Sequence, residues 1–250
     1  MAEAERINDR ERRWARQLRA EREHRESLEK ALAEALRSRT APPDQPDQPT
    51  PAGTTAPPSG PWDRNDFTDE DEDPCDGRID MGGLLVPEVE GMELRVEVAG
   101  GTIVAATVVL RDSAIQFQAF AAPRHEGIWD GIREEIAVGI TGEGGSVEDV
   151  EGPLGRELRA VVPIQLPDGS QGHRTVRFVG ADGPRWFLRG VISGRAAVEQ
   201  EAARDVEQLF RDAVVVRGHG PLAPRDPIAL RMPPNAETVA EGQAPQQRTS

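Results

Sequence analysis

Between residues 84 and 217, hydrophobic and polar positions alternate in short runs that are separated by turn residues. In the run MELRVEV, residues 92 to 98, every second side chain is apolar, as a half-buried β-strand requires. Gly100 and Gly101 favour a hairpin turn, and the apolar run TIVAATVVL that follows them is typical of a central strand. With AIQFQAFAA after it, the pattern predicts a three-stranded meander.

Two segments change to a helical period. In EGIWDGIREEIAVGI, the residues Ile128, Ile132, Ile136 and Ile140 recur at every fourth position, which places them on one face of a helix. A second helix is predicted for residues 195 to 212. Its apolar face consists of Val198, Ala202, Val206, Leu209 and Phe210.

Four strands are predicted between the two helices, in SVEDVE, RELRAVVPIQL, HRTVRFVG and RWFLRGVIS, with turns that include Asp182-Gly183. A short strand, AVVVRG, closes the series from Ala213. This order lacks the regular strand-helix alternation of parallel α/β folds. We therefore predict an α+β domain over residues 84–217, with an antiparallel sheet of about seven to eight strands packed by two helices.

The segment before the domain has two parts. Residues 1–39 contain no Gly or Pro and are dense in helix-forming and charged residues, which predicts a separate N-terminal helix. Residues 40–83 are rich in Pro and then in acids, which predicts a disordered linker. After the domain, residues 218–250 form a Pro-rich tail that we expect to be disordered at its end.

Apolar residues in the two N-terminal parts are candidates for docking on a protein partner. The helix could bind a partner or self-associate as a weak coiled coil, although charged residues interrupt its seam; otherwise it is simply exposed. The aromatic pair in the acidic part of the linker could occupy a basic, apolar-lined groove of a partner or fold back onto its own domain. The docking candidates are Trp14, Leu18, Leu28, Leu32, Trp62 and Phe67.

The formal net charge of −14 argues against a general affinity for nucleic acid or anionic membranes. The longest mostly apolar run, residues 98 to 110, is too short to cross a bilayer, and residues 1 to 20 carry no apolar signal segment. The single Cys75 fits a reducing compartment. We expect a cytoplasmic protein; the sequence predicts no oligomeric state.

No motif for catalysis, cofactor binding or metal binding stands out. The four histidines are far apart, and no His or Cys pair has the spacing of a zinc site. Asp69, Asp71 and Asp73 alternate as in a calcium loop, but Pro74 follows them and position twelve holds Asp80 instead of Glu. The sequence therefore predicts no cofactor and no catalytic residues.

The strand RWFLRG raises the question of whether it forms core or a binding site. Trp186 and Leu188 share one face and Phe187 and Arg189 the other, which favours a strand covered on both sides. A buried Arg189 needs a partner, for which the first helix offers the acids Asp130, Glu134 and Glu135. The alternative is a platform of arginine and tryptophan for an anionic or aromatic ligand.

The loop RGHGPLAPRDPI, residues 217 to 228, gathers cations on an otherwise acidic chain. It is either a proline-stiffened strap that fixes the tail to the sheet or part of an anion or nucleotide pocket. The candidate anion or partner site consists of Arg124, His125, Arg189, Arg217, His219 and Arg225.

Several long stretches resemble an uncharacterised family of actinobacterial proteins classed as a domain of unknown function. They are GPWD, GRIDMGGLLVP, GMELRVEV, DSAIQFQAFAAPRHEGIWD, GPRWFLRGVISG and VVVRGHGPLAPRDPIALRMP, and they span residues 60 to 233. The resemblance implies no reaction, cofactor or catalytic residue. It associates the family's genes with a deoxyuridine nucleotidase neighbourhood, which hints at nucleic-acid maintenance. The N-terminal helix departs from the family's pattern.

Three functions remain open, of which contact with DNA through the arginine-rich N-terminal helix is the weakest. The first is a non-enzymatic protein-interaction adaptor, because a rigid domain is joined by a disordered tether to an amphipathic helix. Its partner is an unknown protein. The second is a domain that binds an anionic ligand or nucleotide through cations such as Arg124, His125, Arg189 and Arg217.

Overall fold

The computed structural model describes residues 60–68, 73–165 and 169–233. The predicted N-terminal helix, including Trp14, Leu18, Leu28 and Leu32, lies outside these residues, as do most of the linker and the end of the tail. Among the described residues, no helix combines the length and the apolar character needed to cross a membrane.

The main sheet has seven antiparallel strands. In chain order they are β4 (Met92–Ala99), β5 (Thr102–Leu110), β6 (Ser113–Ala121), β7 (Ser146–Gly152), β8 (Gly155–Gln165), β9 (Gln171–Gly183) and β10 (Trp186–Gly194). Across the sheet they lie in the order β4-β5-β6-β10-β9-β8-β7. Gly100 and Gly101 both have positive φ angles in the β4–β5 hairpin, as that turn requires. The sheet and its two helices confirm the α+β class.

A second, four-stranded sheet has the order β1-β11-β3-β2. Its members are β1 (Trp62–Asp63), β2 (Arg78–Asp80), β3 (Leu84–Pro87) and β11 (Val214–Val215), and β1 pairs with β11 in parallel. Strands β1 and β2 belong to the segment 40–83 that the sequence analysis assigned to the linker. The packed part of the chain therefore begins before residue 84.

The two helices cover opposite faces of the main sheet. Helix α1 (Trp129–Gly142) packs its isoleucines on β8 and β9, together with Phe187. Helix α2 (Gln200–Asp212) and the small sheet cover the other face, where Trp186 and Phe210 are fully buried. Burial on both faces of β10 confirms the prediction that RWFLRG is core.

The second helix begins later than its apolar pattern predicts. Residues Arg195–Ala197 form a 3-10 turn, and α2 starts at Gln200. Val198, placed on the buried face by the sequence pattern, lies between the two elements and is 65 % exposed, while Ala203 takes the inward position.

The tail is a strap across the sheet, as one of the two sequence hypotheses has it. Strands β5 and β6 pair only over residues 106–110 and 113–117, and the strap occupies the gap where they separate. The Ile228 N–H donates to the Ala119 carbonyl, the Leu230 N–H donates to the Ile103 carbonyl, and both strap side chains are buried.

An ionic contact joins α1 to the edge strand β7. Buried Arg133 donates from Nε to Asp149 at 2.9 Å and from Nη1 to Asp130 at 2.6 Å, and Arg156 contacts the second Asp149 oxygen. Partial burial alone raises the pKa of Asp149, but the hydrogen bonds and charges of Arg133 and Arg156 outweigh it and hold this pKa below its usual range.

We predict that Asp149→Ala lowers the free energy of unfolding by about 1 kcal/mol at neutral pH, because exposed ion pairs contribute little and this one is partly exposed. A lowered folded-state pKa stabilises above the unfolded-state pKa of about 3.9 and loses its effect as the pH falls through the folded-state value. Urea titrations across this pH range should therefore show the difference from wild type shrinking in acid. Glu148→Ala, an exposed neighbour, is the control; an equal effect of both changes at all pH values would contradict the prediction.

Candidate functional site

The ionisable groups inside the domain bind mainly to one another. Arg177, on β9, donates from Nε and Nη2 to both carboxylate oxygens of Glu157, at 3.0 and 2.7 Å, and from Nη2 to Glu207 at 2.7 Å. All three side chains are at least nine-tenths buried between the sheet and α2. This cluster fills its part of the interface between the sheet and α2 with charges that neutralise one another.

The predicted docking residues Trp62 and Phe67 contact their own domain. The backbone N–H of Trp62 donates to the Ala213 carbonyl. The Trp62 ring packs edge-on against Phe67, whose ring lies under the Arg78 guanidinium. The neighbouring Asp63 is buried and accepts a 2.6 Å hydrogen bond from the Trp186 indole. Of the two alternatives left open by the sequence, folding back onto the domain is the one that the structure contains.

The described residues contain neither a cluster that could hold a metal ion nor an activated thiol. No group of three or more His, Cys, Asp or Glu side chains among these residues could hold a metal ion. Burial, with the charges of Asp73 and Asp80, raises the pKa of the Cys75 thiol. A thiol held protonated is a weak nucleophile.

A shallow cleft of about 220 Å³ lies between the β5–β6 turn and α2. Both arginines of its lining are paired with acids: Arg111 contacts Asp205 at 2.8 Å, and Arg195 contacts Glu199. This cleft therefore offers no unpaired arginine to an anionic ligand.

Two of the six predicted cations, Arg225 and Arg189, make contacts inside the fold. Arg225 donates to Glu135 of α1 at 3.0 Å, and this contact fixes the strap. Arg189 is buried on β10, where it donates to Gln118 and lies over the Phe120 ring. Both are structural contacts within the fold.

Arg124, His125 and His219 are exposed on loops at the end of the sheet where β6 stops and the strap begins. Hydrogen bonds bring these loops to the β9–β10 turn. The Ala122 N–H donates to the Arg185 carbonyl at 2.9 Å, and the Arg225 N–H donates to the Ala121 carbonyl at 2.8 Å.

Arg217 and Arg185 form the centre of this end, which we call the cationic corner. Arg217 is half-buried, and its Nη1 donates to the Gly220 carbonyl at 3.0 Å. Its Nε is shielded from solvent and has no hydrogen-bond acceptor. Burial and the charge of Arg185 both lower the pKa of Arg217. Within the described part of the chain, no carboxylate forms an ion pair with either guanidinium.

Arg185 was missed by the sequence analysis, which placed the turn at Asp182-Gly183. Strand β9 instead continues to Gly183, and Pro184 and Arg185 occupy the turn before Trp186. Arg185 has φ of 66°, a value that follows a proline in type II turns and is normally taken by glycine. The dipeptide Pro-Arg in a two-residue turn is the signal that could have identified it.

Asp182, the acid nearest to Arg185 in sequence, is already engaged. It accepts the backbone N–H groups of Ile128 and Trp129 at 2.8 and 3.2 Å and so caps the start of α1. Burial raises the pKa of Asp182 despite these hydrogen bonds. The carboxylate therefore holds the helix and not the cationic corner.

A comparison with known protein families gives a match for this chain. A family model described as "Protein of unknown function (DUF3710)" matches residues 60–239, which include both sheets, both helices and the cationic corner. No curated protein matches the chain. The start of the match at residue 60 coincides with the first described residue of the arm that carries Trp62 and Asp63. Since the match covers well over half of the chain, the protein belongs to this family of proteins of unknown function.

Proposed function

We propose that the protein binds the phosphate group of a small ligand at the cationic corner. The observation that carries this proposal is that Arg217 is half-buried with an Nε that has no hydrogen-bond acceptor, and that neither Arg217 nor Arg185 forms an ion pair with a carboxylate of the described residues. The positive charge of Arg185 is near enough to lower the pKa of Arg217. Burying a charge without a counter-ion is unfavourable, and in folded proteins such groups are normally paired. An anion between the two groups would supply the missing partner.

The backbone at Arg185 supports the same conclusion. A non-glycine residue in the left-handed region costs about 1 kcal/mol, and strain of this kind tends to occur at functional sites. Arg111 and Arg225 have similar φ angles, and the fold uses their side chains in ion pairs with Asp205 and Glu135. Arg185 has no such ion pair among the described residues, so its side chain is the one left for a ligand.

Phosphate fits the corner better than a single carboxylate does. Arginine matches the geometry of phosphate oxygens through paired N–H donors, and the loops add Arg124, His125 and His219 to the same end of the sheet. The net charge of −14 disfavours a long nucleic-acid backbone, so a small phosphate compound is the better candidate. A nucleotide agrees with the hint of nucleic-acid maintenance that comes with the family resemblance.

Thermal unfolding in the presence of ligands tests the proposal. Inorganic phosphate, deoxynucleoside phosphates and acetate are compared at constant ionic strength. A ligand at about one hundred times its Kd stabilises the folded state by about 2.7 kcal/mol, so Tm should rise with phosphate compounds and not with acetate. A nucleotide that acts at lower concentration than inorganic phosphate would indicate contacts beyond the phosphate.

Each of the variants Arg185→Gly and Arg217→Gln should keep or raise the stability of the protein and lose phosphate binding. Without ligand, each removes like-charge repulsion, and Arg185→Gly also relieves strain, so Tm should stay equal or rise. With phosphate, each should lose the Tm increase. Arg204→Gln, on the exposed face of α2, removes one charge elsewhere and is the control. A Tm increase that survives in both corner variants would refute the proposal.

The adaptor function depends on other residues. Two of its six docking candidates, Trp62 and Phe67, are packed on the domain, and the other four lie outside the described residues. The described residues therefore offer more support for phosphate binding at the cationic corner than for the adaptor function.

A further inference from the structure

The two edges of the main sheet differ in their regularity. Strand β4 has a register shift between Glu97 and Val98, which discourages pairing with another strand. Strand β7 pairs with β8 at all seven of its positions, without a bulge. No strand of the described ranges pairs with the other side of β7. Its outer backbone N–H and C=O groups are thus available to an added strand.

The charged side chains of β7 itself are all acidic, while the neighbouring strand β8 places Arg159 opposite Glu148 and Arg156 opposite Glu151. Those two arginines contact Glu157 and Asp149 instead. Glu148, Asp149 and Glu151 are exposed, no basic residue lies on the strand, and Glu143 is exposed in the preceding loop. Asp149 already binds Arg133 and Arg156. Among the described residues, Glu148 and Glu151 form no ion pair, so they are the carboxylates that a partner can reach.

We infer that the β7 edge binds an extended, basic segment of a partner protein by strand addition. In this mode, main-chain hydrogen bonds supply affinity and alternate side chains supply specificity. Glu151 and Glu148 lie on opposite faces of the sheet, because successive side chains of a strand alternate. A bound segment with basic residues on both of its faces would therefore meet both carboxylates.

A second copy of the chain does not fit this edge. Two β7 strands would bring three acidic side chains from each copy together across the new pair, and like charges placed opposite each other are destabilising. The acids that prevent edge-to-edge pairing of two copies thus favour a basic partner strand. This edge is separate from the cationic corner, and neither proposal depends on the other.

Fluorescence anisotropy with a labelled peptide of four Lys-Thr repeats tests the inference. The full chain should bind this peptide more tightly than a peptide of Glu-Thr repeats. The double variant Glu148→Lys with Glu151→Lys should weaken binding by about tenfold or more, because it replaces attraction with repulsion. Glu88→Lys with Glu90→Lys, which makes the same charge change in an exposed loop, should retain most of the affinity.

Hydrogen exchange separates strand addition from general charge attraction. Amides of β7 should exchange more slowly when the Lys-Thr peptide is bound, while amides of β4 should not change. Equal loss of affinity in both double variants, or peptide binding without protection of β7, would overturn the inference. So would a dimer in sedimentation experiments that disappears with the β7 variant. Melting curves establish that each variant is folded.

Discussion

Arg177→Met will destabilise the domain by about 3–5 kcal/mol, the largest effect that we expect of a single substitution. The change leaves Glu157, which is fully buried, and Glu207, which is 5 % exposed, without their shared counter-ion. Although burial acts to lower it, the hydrogen bonds with Glu157 and Glu207 hold the pKa of Arg177 above its ordinary value, so this arginine is charged. Urea unfolding monitored by tryptophan fluorescence gives the loss directly.

Two further variants determine whether the loss of stability comes from leaving Glu157 and Glu207 without a counter-ion. Arg177→Met combined with Glu157→Gln and Glu207→Gln removes all three charges and should recover a large part of the stability. Arg159→Met removes a half-exposed arginine that also contacts Glu157 and should cost at most about 1 kcal/mol. If Arg177→Met alone changes the unfolding midpoint no more than Arg159→Met, the buried cluster does not hold α2 on the sheet.

Removing residues 1–68 will lower the stability of the domain by about 3 kcal/mol, whereas removing residues 1–59 will leave it unchanged. The longer deletion takes away β1 and Asp63, so that the Trp186 indole N–H loses its acceptor in a buried environment, which alone costs about 1–3 kcal/mol. Lost apolar burial around Trp62 adds to this cost. Calorimetry of the two truncated chains against the full chain measures both effects.

The point variant Asp63→Ala is the matched test of the indole contact, and Asp63→Asn, which keeps a carbonyl acceptor, should be milder. Equal stability of the chains that begin at residues 60 and 69 would show that the arm contributes nothing. A deletion through residue 80 would damage the domain itself, so the adaptor hypothesis is better tested by deleting residues 1–59.

The order of strands and helices could be predicted because local signals agree with the final packing. The alternation in MELRVEV and the isoleucines at every fourth position of α1 each describe one inward face. The structure buries Ile132, Ile136 and Ile140 and half-buries Ile128 and the apolar side chains of MELRVEV, except Val98, which is exposed. The double glycine at 100 and 101 determines the first hairpin. Such signals depend on neighbouring residues alone.

Contacts between residues far apart in the chain could not be predicted from the sequence. Nothing local indicates that Asp63 meets Trp186, 123 positions later, or that Arg177 is shared by two glutamates. The acidic composition of residues 62 to 80 predicted a tether, but the apolar contacts of Trp62 and Phe67 place this arm on the domain. Composition averages over a segment, and two aromatic anchors are enough to override it.

The candidate site was predicted in part. Arg217, Arg124, His125 and His219 were identified because cations are conspicuous on an acidic chain, and the structure places them at one end of the sheet. Arg189 and Arg225 were included on the same criterion, although the fold uses both in internal contacts. Only a structure could distinguish an arginine with an internal partner from one without.

The central claim is that Arg185 and Arg217 together bind a phosphate group. Nuclear magnetic resonance of the arginine Nε–H groups tests it most directly, because the Arg217 Nε is shielded from solvent and should give a visible signal. During titration with inorganic phosphate, the Nε–H signals of Arg217 and Arg185 should shift and saturate, while that of Arg225, bound to Glu135, stays in place. If both corner signals remain unmoved at millimolar phosphate in the folded protein, the claim is wrong.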